Sequence, residues 1–228
     1  MPPRFAGEAQ AALAAVFSRD TARPPQPLPQ AVRDQENWES AVLNIRQEKP
    51  SEAAAREALL DAAYGPVRFT KPSNSLRVGR TPAPGLSFVA TEDGRVIGSI
   101  RLWEVAAGSD RSALLLGPLA VHPDCRKQGI GGALMRHAMR VAGKRGHAAV
   151  LLVGDPAYYS RFGFSAEKTG KLWLPGLGER SRLLGHEFVA GSLDGARGSI
   201  RAPKKPSRTR LLDAVAGLIG SPQQATAA

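Results

Sequence analysis

The chain has 228 residues, 43% of them hydrophobic, enough for one domain with a real core plus extensions. Its 31 Lys and Arg against 20 Asp and Glu leave a formal charge of +11, which points to an anionic ligand with nucleic acid as the rival partner, although 6% aromatic residues make a thin platform for stacking single-stranded bases. The lone Cys125 excludes an internal disulfide and suits a reducing, cytoplasmic setting; there is no apolar run long enough to span a membrane and no secretory signal.

Residues 1–37 read as an N-terminal extension, partly disordered, because Pro2, Pro3, Pro24, Pro25, Pro27 and Pro29 interrupt any long element. Within it, the alanine-rich run Glu8 to Ser18 has the composition of one helix. The main domain is assigned to residues 38–196. Ala41 to Arg46 is a predicted first strand, and Ala55, Leu59, Ala62 and Ala63 set a helical period over Glu52 to Tyr64, with Ser51 as the expected N-cap and Gly65 as the stop. Lys71 to Pro84 is polar, Pro- and Gly-rich, and predicted to be a long loop with one helical turn, a candidate substrate wall. Leu86 to Ala90, Arg95 to Glu104 and Ser112 to Val121 follow as three strands of an antiparallel meander, with Asp93-Gly94 as a hairpin turn. Gly117 and Pro118 sit inside the third of these strands, where proline cannot donate to a ladder, so a bulge or a lost pairing is expected there.

The next stretch carries the chemistry. Arg126-Lys127-Gln128-Gly129-Ile130-Gly131-Gly132-Ala133 is a basic, glycine-rich loop opening into an amphipathic helix whose apolar face is Ile130, Ala133, Leu134, Ala138, Val141 and Ala142. A helix N-terminus offers unpaired N–H groups and a partial positive charge, which together hold phosphate. The loop lacks the Gly-Lys-Ser/Thr of a P-loop, and Leu134 stands where a dinucleotide fingerprint needs its third glycine. Gly143 and Gly146 are expected to stop the helix, and the all-apolar run Ala148 to Val153 is expected as a strand buried on both faces, parallel to the one before the helix. Asp155 and Pro156 then open a short helix, Tyr158 and Tyr159 lie on it, and Gly163 closes it. Beyond Phe164 the sequence alternates turns and short apolar pieces, of which Leu183 to Ala190 is the clearest strand. The tail, residues 197–228, begins with Arg197, Arg201, Lys204, Lys205, Arg208 and Arg210 and ends in an apolar helical stripe, Leu211, Leu212, Val215, Leu218 and Ile219.

Leu119-Ala120-Val121, the loop Arg126 to Gly131, and Tyr158-Tyr159-Ser160-Arg161-Phe162-Gly163-Phe164 together resemble the GNAT superfamily of acyl-CoA-dependent N-acyltransferases, over roughly residues 41–164. The loop matches that family's pyrophosphate motif and the tyrosine segment its Tyr-x-x-x-Gly-Phe element. The resemblance implies an α/β (α+β) fold: a mixed, mostly antiparallel sheet splayed between its fourth and fifth strands, flanked by helices. It implies acetyl-CoA as co-substrate, with the pantetheine arm on the backbone of Leu119, Ala120 and Val121. The pyrophosphate would lie on the stretch from Arg126 and Lys127 through Gln128, Gly129, Ile130, Gly131 and Gly132 to Ala133. Tyr159, four residues before Gly163, takes the place of the family's general acid, and Tyr158 becomes a wall residue. The implied activity is N-acetyl transfer to an amine-bearing small molecule or protein by direct attack in a ternary complex.

Many members carry a carboxylate base on the fourth strand, where this chain has Gly117 and Pro118. Glu104 and Asp155 are the candidates here, though a surface charge and a helix cap are plainer roles for them. That gap sustains an alternative, a non-catalytic acyl-CoA-binding or regulatory module of the same fold. His122 and Cys125 read as structural, no Cys/His spacing supports a metal, and no specific nucleic acid is expected. The reading leaves open a weak contact of the basic tail with an anionic surface and pairing into a homodimer.

Overall fold

The computed structural model describes residues 43–203. The N-terminal extension, with the helix expected over Glu8 to Ser18, and the tail beyond Pro203 lie outside the described residues. In chain order the elements are β1 (Asn44–Gln47), α1 (Ala53–Tyr64), β2 (Ser87–Glu92), β3 (Arg95–Ala107), β4 (Arg111–Val121), α2 (Ile130–Lys144), β5 (Ala149–Val153), α3 (Pro156–Tyr159), β6 (Lys171–Trp173), β7 (Leu183–Glu187) and β8 (Arg197–Arg201). Short 3-10 turns at Pro66–Phe69 and Pro72–Leu76 fill the segment between α1 and β2.

The sheet runs β1-β2-β3-β4-β5-β7; β8 pairs with the far end of β3 and with β6. All neighbours along the main path are antiparallel except β4 and β5, which are parallel across the α2 crossover, as expected. Asp93 (φ 47°) and Gly94 (φ 79°) form the two-residue turn between β2 and β3, both in the left-handed region that such a hairpin requires.

Side chains of β4 and β5 alternate between two cores. Leu114, Leu116, Val150 and Leu152 meet Leu134, Met135 and Ala138 of α2, whereas Leu115 and Leu151 pack on the opposite face with Trp103, Leu172 and Leu183. This double burial is why Ala149–Val153 needs no polar residue. On β4 the alternation changes phase. Leu102 pairs with Leu116 and Ile100 with Leu119, so β3 advances two residues while β4 advances three. The extra residue is a bulge at Gly117-Pro118, whose peptide bond is cis. Beyond it Leu119 and Val121 join the α2 side, and Ala120 turns to Leu59 and Leu60 of α1.

Several boundaries depart from the sequence reading. Ser51 does not cap α1: a 3-10 turn at Pro50–Glu52 precedes the helix, and Glu52 accepts from the Lys49 N–H at 2.7 Å. Gly65 (φ 60°) ends α1 as predicted. Gly143 lies inside α2 against Phe188, and the turn falls on Gly146 (φ 80°). Arg197–Arg201, assigned from sequence to the tail, is a strand of the fold with Ile200 buried, because β3 and β6 offer it open edges. Among the described residues, no helix is long and apolar enough to cross a membrane.

Candidate active site

Strand β5 pairs with β4 only at Leu114 and Leu115. Past that point β4 bulges, while Leu152 and Val153 of β5 stay paired with β7, so the two parallel strands part. The bulge is pinned from within: the buried Trp103 Nε1–H donates to the Gly117 carbonyl at 2.6 Å. The His122 N–H donates to Ile97 O at 2.8 Å, which makes that pair a hydrogen-bonded one in the antiparallel ladder. By alternation Ala120 also bonds to β3, whereas the backbone groups of Leu119 and Val121 point away from β3 into the gap. Of the three residues predicted to present backbone there, the structure orients two. The Leu119 carbonyl accepts the Tyr64 hydroxyl, leaving its N–H toward the gap.

At one end of the gap lies the start of α2. No side chain caps this helix, and Gly129 (φ 79°) takes the N-cap position. The Ala133 N–H donates to Gly129 O at 3.0 Å, so the N–H groups of Gly129, Ile130, Gly131 and Gly132 have no partner within the helix. Lys127 adopts φ 67°, costly for a side-chain-bearing residue, and with Gly129 it curls the loop so that successive N–H groups converge. Ile130 is buried and anchors the helix end in the core. The loop members Arg126, Lys127, Gln128 and Gly129 are exposed, whereas Gly131, Gly132 and Ala133 are half-buried. Arg126 stands apart from its neighbours: its guanidinium donates to Ala63 O at 3.2 Å and ties the loop to the last turn of α1. Arg136, one turn beyond Gly132 on α2, reaches back to within 3.3 Å of a Cβ placed on Gly132. The sequence shows Arg136 only as part of a polar helix face.

The tyrosine segment closes the other side. Asp155 caps α3 by accepting from the Ala157 N–H at 2.9 Å, and Gly163 (φ 78°) ends the following turn. Tyr158 and Tyr159 diverge. The Tyr158 hydroxyl lies 3.4 Å from a Cβ placed on Gly131, beside the helix N-terminus. Tyr159 packs on Phe164 and turns into the gap, occupying the space above Gly154 so closely that a Cβ there would fall 2.1 Å from Tyr159 Cε2. Burial, with Tyr64 and Tyr158 nearby, raises the Tyr159 phenol well above the usual tyrosine value. It therefore remains a proton donor throughout the neutral range.

Between these parts is a cavity of about 260 Å³ whose walls include Gly117, Leu119, Leu152, Val153 and Tyr159. Its outer wall is the segment after α1, with Phe69, Lys71, Ser73, Asn74 and Arg77, so the expected substrate wall at Lys71 to Pro84 does line the cavity with its first half. Neither predicted carboxylate is there: Glu104 is exposed outside the cavity, and Asp155 is engaged as a cap. The acid on the wall is Glu57, which accepts from Arg56 at 2.7 Å and pairs with Arg68 at 2.7 Å. Burial raises the Glu57 carboxyl, but the hydrogen bonds from Arg56 and Arg68 outweigh it and hold the group below the ordinary range. His122 caps the turn at Pro123–Cys125 and touches Arg95, and Cys125 is buried in the core. Among the described residues, no group of three or more His, Cys, Asp or Glu is arranged to hold a metal.

Comparison with known proteins bears on this arrangement. A family model described as an acetyltransferase (GNAT) domain matches residues 83–166. The uncharacterized N-acetyltransferase YhbS of Escherichia coli K12 is 34% identical over 158 residues, which make up 68% of this chain and 93% of YhbS. The crystal structure of Escherichia coli YhbS in complex with CoA superposes with a TM-score of 0.63 at 30% identity, covering 72% of this chain and 92% of that one. A GNAT acetyltransferase from Brucella melitensis in complex with acetyl-CoA gives 0.56 at 28% identity, covering 72% of this chain and 97% of the other.

Proposed function

The chain belongs to the GNAT family of acetyltransferases, and on that premise we propose that it moves the acetyl group of acetyl-CoA to an amine acceptor by direct attack in a ternary complex. The observation that carries this is the meeting of three parts at one gap: backbone groups of Leu119 and Val121 aimed into it, the uncapped start of α2 at one end, and the Tyr159 phenol on its wall. The two similar proteins solved with CoA and acetyl-CoA support the same ligand class.

The residues present fit such a ligand. Orphan N–H groups from Gly129 to Gly132 and the left-handed turn at Lys127 suit a diphosphate, and the glycines allow its oxygens to approach the main chain. Arg126 contributes less than its place in the motif implies, since it donates to Ala63. The Leu119 and Val121 backbone suits an amide-bearing arm lying along the gap as an added strand.

Acetyl-CoA supplies an activated thioester. The Leu119 N–H is placed to polarise its carbonyl and to bear the charge that develops on oxygen. As the C–N bond forms and the C–S bond breaks, Tyr159 gives its proton to the departing thiolate, and the surplus proton on the attacking nitrogen passes back to the phenolate, directly or through water; the raised phenol value keeps Tyr159 protonated beforehand. The attacking amine must be neutral, and the cavity favours this state without a carboxylate base. Burial, with Arg77 and Arg182 nearby, holds the Lys71 ammonium on the same wall below its usual value, the direction in which this wall acts on an amine. CoA release from purified protein with acetyl-CoA and a broad amine panel tests the proposal. Saturable turnover of at least one amine is expected; tight CoA binding without turnover would favour the non-catalytic module, which the ion-paired state of Glu57 keeps in play.

A further inference from the structure

The cavity wall has an imbalance of charge. Arg101 pairs with Glu48 at 2.6 Å and Arg68 with Glu57 at 2.7 Å, which leaves Lys71 and Arg77 as the wall cations with no acidic partner among the described residues. Arg77 is half-buried, and its Nε and Nη2 donate to the backbone and hydroxyl oxygens of Ser73 at 3.1 and 2.9 Å. Those two bonds hold the fork still. Nη1 points the other way, 3.7 Å from a Cβ placed on Gly117, next to the bulge where the strands part. Lys71 Nζ lies 3.8 Å above the Tyr64 ring, and Tyr64 in turn bonds to Leu119. A fixed guanidinium, with the exposed Lys71 beside it, thus faces a small space next to the proposed transfer point.

Removing a guanidinium from water without a counter-anion is costly, and a site that holds one so leaves a strong attraction for an anion. Resting on the acetyl-transfer reading, we propose that the acceptor is a small amine that also carries an oxyanion, a carboxylate or a phosphate, and that Arg77 with Lys71 binds that oxyanion while the amine faces the thioester. Guanidinium prefers planar or tetrahedral oxyanions, which it meets with two parallel N–H donors. Arg77 and the parted strands line one cavity of about 260 Å³, which suits an acceptor with only a few bonds between amine and anion, as in amino acids and amino-alkyl phosphates.

Product analogues test this without turnover. N-acetylglycine and N-acetylphenylalanine, each against its C-terminal amide, and N-acetylated O-phosphoethanolamine against N-acetylethanolamine, are titrated calorimetrically into the full chain loaded with CoA. The anionic member of at least one pair is expected to bind about tenfold to a hundredfold tighter, the worth of a charged hydrogen bond. Which pair shows the preference separates carboxylate from phosphate. In Arg77→Gln the preference is expected to vanish while the neutral member binds as before, an internal control for folding. Equal binding within every pair, no binding by any member at millimolar concentration, or equal weakening of both members by Arg77→Gln overturns the proposal. Anion-selective binding without CoA release from the matched amines would sink the acetyl-transfer reading and with it the acceptor assignment, leaving only an oxyanion subsite at Arg77; turnover of neutral amines with no anion preference would overturn the acceptor assignment and leave acetyl transfer standing.

Discussion

In the proposed reaction the smallest working unit is Tyr159 with Gly154 beneath its ring. Tyr159→Phe removes the proton donor and little packing, so kcat is expected to fall by about a hundredfold to ten-thousandfold. The affinity for CoA should be nearly unchanged, because the diphosphate is assigned to main-chain donors of Lys127 to Gly132 and not to the Tyr159 hydroxyl. Since burial raises the phenol above the ordinary value near 10, wild-type kcat should show no alkaline loss from its ionisation as pH approaches about 10. Unchanged turnover in Tyr159→Phe would remove the residue from the mechanism. Gly154 acts through position. Its backbone is not in a glycine-only conformation, yet a Cβ would stand 2.1 Å from the Tyr159 ring. Gly154→Ala must therefore push the phenol out of place, and a shift of about 1 Å at a reacting group can lose about a hundredfold in rate. The loss should appear in kcat, with the KM for acetyl-CoA kept. The Tyr159 motif was visible in the sequence because it sits at a fixed distance from Gly163. Gly154 was not, since its requirement is steric and arises only when the helix folds back over the strand. Arg77 is a similar case: a single arginine in a polar loop carries no signal until its neighbours prove to lack an acid.

At the level of elements, β4, α2 and β5 were legible for a physical reason. Each has a strong period of its own, and the glycines and charges of the connecting loop mark where one gives way to the next. The bulge was legible too, from Gly117-Pro118, although its consequence, the change of phase that sends Ala120 to α1, needed the register with β3. Strand β8 was missed. Arg197–Arg201 reads RGSIR, polar and short, and it becomes a strand only because the edges of β3 and β6 are there to pair with it. The role assigned to the start of α2 is open to a charge test. Gly129→Glu places a carboxylate at an N-terminus meant for phosphate and also strains a residue at φ 79°. Gly129→Gln shares the strain and lacks the charge. CoA affinity is expected to be weaker in the glutamate variant by roughly tenfold beyond any loss in the glutamine one, as a like charge opposes the ligand. Equal affinities would show that the diphosphate does not rest on this turn.

Across the whole molecule, part of the +11 surplus has a local use under the proposed reading. A diphosphate at α2 and an oxyanion at Arg77 both call for positive charge, and both are local. The long-range part of the field is screened beyond about 10 Å at 0.1 M salt, so raising salt should weaken CoA binding gradually without abolishing it. The central claim is that main-chain donors at the start of α2, together with the parted strands β4 and β5, grip an acylated CoA. Calorimetric titration of the folded full chain with CoA and with acetyl-CoA tests it most directly. The account predicts heat that saturates at one ligand per chain for both; folded protein that shows neither heat nor saturation with either would contradict it.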